Sequence, residues 1–212
     1  GGMMRFGGFQ PFTLSDYPGR TAAIVFAQGC NFRCPFCHNG SLLSAVADER
    51  DLVPEEIVLA ELRRRHGLIE GLVVTGGEPT LQAALPAFLG KVKALGLLVK
   101  LDTNGSRPEM LARLLRAGLV DYVAMDVKAP REKYDLLAGV KAPLDAVRES
   151  IRLIAGSGVA HHFRTTAPPA LLSARDLETI RRELPPDAAH RVQEFKPEHA
   201  LDPAACAAAR TA

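Results

Sequence analysis

The sequence has no tryptophan, three tyrosines and four cysteines among its 212 residues. Four cysteines cannot staple a chain of this length, so a secreted disulfide scaffold is excluded and reduced thiols in a cytoplasmic setting are expected. No apolar run approaches the roughly 18 residues of a membrane span, and no basic-then-apolar leader is visible, so a membrane partner is not expected. A dominant charge is missing too. Against 24 Asp+Glu stand 26 Lys+Arg, a net +2, which leaves no electrostatic footprint for nucleic acid.

What is present is globular composition, 47% hydrophobic and 24% charged, enough to build a core and unlike a disordered chain. With about 150 residues as the usual domain size, the length reads as one domain. We place it over residues 4–203, with an Ala-rich tail at 204–212. Gly1-Gly2 ahead of Met3 reads as a remnant outside the fold.

Short apolar runs alternate with segments of three- and four-residue apolar spacing. Strands are expected at Thr21–Phe26, Gly71–Thr75, Gly96–Thr103, Val120–Val127, Val159–Thr166 and Arg191–Phe195. Their nearly continuous apolar character fits a parallel sheet covered on both faces. Helices are expected at Pro54–His66, Leu81–Leu95, Pro108–Ala117, Leu144–Ala155 and Ser173–Leu184, with first-turn prolines, a serine cap and glycine stops at several ends. Strict strand–helix alternation predicts an α/β fold, a partial (βα)6 barrel with a parallel sheet and outer helices, since a full eight-fold barrel needs about 250 residues.

Such a fold carries its chemistry where the strands end. Cys30, Cys34, Cys37 and His38 follow the first strand, and Gly76, Gly77 and Glu78 the second. Asp102, Thr103 and Asn104 close the third, Asp126 and Lys128 the fourth, Arg164 and Thr166 the fifth. Cys30, Cys34 and Cys37 form a CxxxCxxC loop whose thiolates suit an iron–sulfur cluster with one iron left open. A structural zinc site completed by His38 competes with that reading, although residues as close as Cys37 and His38 rarely both reach one tetrahedral ion. Functionless buried thiols are a third reading, which the Gly-, Asn- and Pro-containing loop speaks against. Cys206, alone in the tail, is expected to be inert.

The motifs Gly8-Phe9-Gln10-Pro11-Phe12-Thr13-Leu14-Ser15-Asp16-Tyr17-Pro18-Gly19, Gln28-Gly29-Cys30 through Cys37-His38-Asn39, Thr75-Gly76-Gly77-Glu78-Pro79-Thr80, Leu101-Asp102-Thr103-Asn104-Gly105 and Met125-Asp126-Val127-Lys128 together resemble the radical S-adenosylmethionine superfamily. Within it they are most similar to glycyl-radical-enzyme activating proteins of the anaerobic ribonucleoside-triphosphate reductase type. The resemblance implies a [4Fe-4S] cluster on the three cysteines and S-adenosylmethionine chelated to the open iron. It also implies one-electron cleavage to methionine and a 5′-deoxyadenosyl radical, which takes a hydrogen from a glycine of a partner glycyl radical enzyme. A flavodoxin or ferredoxin is the implied electron donor.

By the same resemblance, Gly76-Gly77-Glu78 approaches the methionine ammonium group, with Lys128 and Arg164 at its carboxylate. Asp102 lies near the ribose or a monovalent cation, and Asp126 beside that cation. Thr103 and Asn104 are cofactor contacts, Asn104 at the ribose hydroxyls, and Phe36 and His38 flank the adenine. Each has a plainer alternative. Lys100, Asp102, Asp126 and Lys128 could be an internal ion-pair network, Gly-Gly and Asn-Gly plain turns, and His38 a partner for loop carbonyls. At whole-chain level the alternatives are a small-molecule enzyme of the 7-carboxy-7-deazaguanine synthase type and a zinc-stabilised binding module.

Overall fold

A computed structural model describes residues 2–207. Seven strands form one sheet in chain order: β1 (Phe6–Thr13), β2 (Ala22–Ala27), β3 (Gly71–Gly76), β4 (Leu98–Thr103), β5 (Tyr122–Asp126), β6 (Ala160–Ala167) and β7 (His190–Glu194). Strands β2 to β7 are parallel throughout and correspond to the six expected apolar runs. The sheet does not close, so the molecule is a partial barrel with outer helices.

β1 is the element missing from the sequence reading. It pairs antiparallel with β2, and its register shifts between Phe6 and Gly8 and again between Gln10 and Thr13. Those irregularities, with two glycines and Pro11, erase the period-two alternation that marks a strand. Pro11 is tolerated because β1 lies at an edge.

Helices α1 (Glu55–Arg64), α2 (Leu85–Ala94) and α3 (Pro108–Arg116) follow β2, β3 and β4. The short α4 (Tyr134–Ala138) and α5 (Leu144–Gly156) follow β5; α6 (Ala174–Glu183) follows β6 and α7 (Pro203–Cys206) follows β7. α6 begins as expected, its N-terminus closed by a capping box between Ser173 and Asp176. α2 starts later than expected because Pro79–Leu81 forms a separate 3-10 turn. α4 is too short to show a helical period and was not foreseen. Residues 204–206, expected in the tail, lie in α7, whereas 208–212 fall outside the described residues. No helix among the described residues is long and apolar enough to cross a membrane.

Alternation along the strands divides the interior. Val25, Val74, Leu101, Met125 and Phe163 are buried in the main core, together with Phe88, Leu111, Leu114 and Ile154 of the helices. The opposite faces carry a small apolar floor, Tyr17, Ala22, Ile24 and Val73, and above it polar side chains. Tyr17 packs edge-on against Tyr122 at 5.9 Å between centroids. Tyr122 Oη shares a 2.8 Å hydrogen bond with Nδ1 of the buried His162. Its neighbour His161 turns the other way, against Phe163 and the Val159 carbonyl.

Burial, with Arg191, Lys100 and Arg164 nearby, pushes the His162 pKa down to about 4. A histidine whose folded pKa lies below its unfolded value of about 6.5 stabilises the native state fully only above that value. As pH falls from about 6.5 towards 4, the unfolded chain takes up a proton that the folded chain refuses. Urea unfolding should therefore show the wild type losing stability through that window, and His162→Gln should lose less.

Candidate active site

Every residue expected at the site lines one cavity of about 450 Å³, within the usual range for small-molecule sites. Cys30, Cys34 and Cys37 are free thiols, Cys34 buried and the others partly so. The loop that carries them is fastened through its backbone. Gly29 N–H donates to the Leu42 carbonyl at 2.7 Å, Cys30 N–H to Leu43 at 3.2 Å and Arg33 N–H to Ala138 at 2.8 Å. Burial pushes the Cys30 thiol up to about 11, Glu78 adding to the effect and the Phe32 N–H opposing it. Burial likewise raises Cys34, against the pull of Lys128.

Gly76 and Gly77 are required by the protein's own backbone. Gly76 has φ of +113°, and a Cβ there would lie 2.3 Å from the Ala27 nitrogen. At Gly77 it would lie 2.1 Å from the Gly29 carbonyl oxygen. The close approach is thus made by the end of β2 at Gly76 and by the root of the cysteine loop at Gly77, with Gly77 N–H donating to Ala27 and Glu78 N–H to Gly29 at 2.9 and 2.8 Å.

Glu78 is 1% exposed and accepts four hydrogen bonds. Thr80 donates its N–H and hydroxyl to Oε1, Thr103 its hydroxyl to Oε1, and Asn104 its N–H to Oε2 at 2.6 Å. Burial pushes its pKa up while these donors oppose the rise; three of them crowd Oε1 and one reaches Oε2. Thr103 therefore serves Glu78. The Asn104 amide donates to Asn31 Oδ1 at 3.0 Å and its oxygen accepts the Ser106 N–H, while Asn31 donates to Ser106 Oγ. Its side chain is engaged between two loops, the turn-forming alternative to ribose contact.

Across β4, β5 and β6 runs a chain of alternating charge. Lys100 Nζ meets Asp102 Oδ1 at 2.5 Å, and Asp102 Oδ2 lies 3.4 Å from Arg164 Nη1. Arg164 Nε meets Asp126 Oδ1 at 2.5 Å, and Asp126 Oδ2 meets Lys128 Nζ at 3.0 Å. Burial alone would raise the Asp126 pKa, but Arg164 and Lys128 outweigh it and hold the carboxyl well below the usual range. All four carboxylate oxygens of Asp102 and Asp126 face a cationic side chain. Lys128 Nζ also lies 5.4 Å over the ring of buried Phe36. His38 is turned outward, its Nε2 sharing a 2.7 Å hydrogen bond with the Lys196 carbonyl.

Asn31 and Thr80 escaped the sequence reading although both lie inside quoted motifs; a short polar side chain in a loop looks like turn chemistry until its partner is known. Gln193 and Glu194 of β7 also line the cavity, on a strand whose pattern was weak.

A family profile described as the Radical SAM superfamily matches residues 24–182. A Methanocaldococcus jannaschii protein provisionally named a glycyl-radical enzyme activating enzyme is 32% identical over 200 residues, 92% of this chain and 81% of that protein. The 7-carboxy-7-deazaguanine synthase of Thermococcus kodakarensis is 34% identical over 128 residues, 52% of this chain and 50% of the synthase. Among solved structures, Streptococcus suis SuiB bound to its precursor peptide SuiA superposes with a TM-score of 0.59 at 17% identity, covering 82% of this chain and 38% of SuiB. The enzyme anSMEcpe with bound AdoMet gives 0.61 at 17% identity, covering 80% of this chain and 49% of that one. The chain spans less than half the length of either structure.

Glu78→Gln should turn an amide N–H towards the Asn104 N–H and leave both unsatisfied, lowering stability by about 2 kcal/mol. Urea unfolding of the metal-free protein measures this.

Proposed function

The chain belongs to the radical SAM superfamily and is an enzyme of that family; from this premise we propose that it activates a glycyl radical enzyme of the anaerobic ribonucleotide reductase type. Cys30, Cys34 and Cys37 would hold a [4Fe-4S] cluster, with S-adenosylmethionine beside it and a flavodoxin or ferredoxin as electron donor. The observation that carries the reading is the convergence of three free thiols, the Gly77–Glu78 loop and the charge chain on one cavity.

The donor set fits the group. Three soft sulfurs ring a cavity, and among the described residues no three His, Cys, Asp or Glu side chains approach closely enough to hold a single ion. Soft thiolate donors in a CxxxCxxC loop suit an iron–sulfur cluster. When bound, the cluster and S-adenosylmethionine supply the one-electron chemistry that generates a 5′-deoxyadenosyl radical.

The chain's own residues would bind, orient and shield. The ion chain holds three cations and two carboxylates, one positive charge in excess. A single buried carboxylate, such as that of a methionine moiety, balances it at Lys128 and Arg164. Glu78 Oε2 accepts only the Asn104 N–H within the protein, which leaves acceptor capacity for an ammonium group. Phe32 and Phe36, both buried, keep water from the thiol side.

For the substrate, the match to the activating-enzyme relative extends over 92% of this chain and that to the deazaguanine synthase over 52%. This favours a polypeptide substrate. Gln193 and Glu194, exposed on the last strand of the open sheet, border the cavity where a polypeptide loop would enter.

Anaerobically reconstituted protein should be brown, and Cys30→Ala, Cys34→Ala or Cys37→Ala should each abolish the colour while Cys206→Ala keeps it. With dithionite and S-adenosylmethionine it should release 5′-deoxyadenosine and raise a doublet EPR signal on an anaerobic ribonucleoside-triphosphate reductase. Release of 5′-deoxyadenosine with no doublet would retain the superfamily chemistry and remove the activase reading.

A further inference from the structure

The two halves of the cysteine loop are held by different means. The first, Gly29 to Arg33, is tied by backbone hydrogen bonds to Leu42, Leu43, Ala138 and Glu78. The second, Pro35 to His38, has a local turn bond from Cys37 N–H to the Cys34 carbonyl, and beyond that it is met by a segment 158 residues further along the chain. Leu201 N–H donates to the Cys37 carbonyl at 3.0 Å and Asp202 N–H to the Pro35 carbonyl at 2.8 Å. His38 Nε2 completes the set at the Lys196 carbonyl.

That segment is itself anchored. Asp202 caps α7 by accepting the Ala205 N–H at 3.0 Å. α7 ends on Cys206, which is wholly buried in the main core and whose carbonyl accepts the Ala170 N–H of the β6–α6 connection. Phe195 is buried in the same core and Ala200 packs against it. Between these points His199 sits at φ +65°, the one non-glycine residue with positive φ among the described residues. A strained residue of this kind persists where contacts on both sides over-determine it.

We propose that residues 196–206 form a positioning strap, with Cys206 as its anchor and the Leu201 and Asp202 N–H groups as its grip, which holds the Pro35–His38 half of the loop in place before any metal is bound. A role in cluster retention rests on the preceding reading that Cys37 is a ligand; the hold on the loop does not. Cys206 is thus the far end of a tether to the site.

The test uses the full-length protein. In the metal-free state, amide hydrogen exchange at Phe36–His38 is compared between wild type, Leu201→Pro, Leu201→Ala, Cys206→Asp and Cys206→Ala. Leu201 is 47% exposed, so Leu201→Ala keeps the N–H at little cost while Leu201→Pro removes it. Leu201→Pro and Cys206→Asp should speed exchange there by about fivefold, the effect of one lost backbone hydrogen bond on a local opening, while both alanine variants match wild type. After anaerobic reconstitution the same two variants should hold less iron per chain and bleach faster in air.

Unchanged exchange at Phe36–His38 in Leu201→Pro and Cys206→Asp overturns the strap. Faster exchange with wild-type iron content and bleaching rate overturns its role in cluster retention. If Cys206→Asp does not fold, as circular dichroism would show, the Leu201 pair alone decides. A wild type that takes up no iron counts against the preceding reading, and the metal-free comparison still decides the strap.

Discussion

One buried carboxylate fixes the geometry around which the rest of the cavity is arranged. Glu78 takes hydrogen bonds from the turn that follows it, through Thr80, and from the end of β4, through Thr103 and Asn104. Its own N–H donates to Gly29 at the root of the cysteine loop. Three loops that leave three adjacent strands are thereby tied to one residue, two through its carboxylate and one through its backbone. An ionised group so deeply buried is stable only while its donors are in place. The loops therefore hold the carboxylate as much as it holds them, and this reciprocity makes the rim rigid. Asn31, Asn104 and Ser106 extend the brace from the β4 loop back to the cysteine loop.

The second constraint is electrostatic. Lys100, Asp102, Arg164, Asp126 and Lys128 lie on inward positions of three neighbouring strands, and no apolar packing could hold such groups inside a barrel. Strand register brings Asp126 opposite Arg164, and period two brings Lys100 beside Asp102. The network that links these strands holds three cations against two carboxylates. The ion-pair arrangement of these residues is the one the fold shows.

Much of this was legible in the chain. β2 to β5 announce themselves as apolar runs, and five helices by period and caps, because each buries a face; β6 and β7 carry weaker patterns, β7 being exposed over most of its length. β1 was hidden by its irregular register and α4 by its length. The residues of the site were legible by position at strand ends. Their partners were not, since a hydrogen bond between Glu78 and Thr103 depends on how two strands align and not on either motif. The glycines illustrate the same limit. Their need for space is plain in the sequence, but only the fold shows that the backbone of β2 fills it at Gly76 and that of Gly29 at Gly77. Cys206 was set aside as a lone thiol because its burial and its link to Ala170 are set by long-range packing.

The braces share a property that bears on how a thiolate site can be built before its metal arrives. Burial makes the Cys30 and Cys34 thiols costly to ionise, so attraction to those sulfurs does not organise the loop. The organising bonds fall on backbone groups: Gly29, Cys30 and Arg33 through their N–H groups, Pro35 and Cys37 through their carbonyls. Backbone bonds fix the path of the loop while leaving each Sγ uncommitted to another cysteine. A metal taken up there would displace protons at a loop whose path its backbone bonds fix. The conformational entropy of ordering it has already been met by the packing of the whole domain, from the β3 loop at one end to α7 at the other.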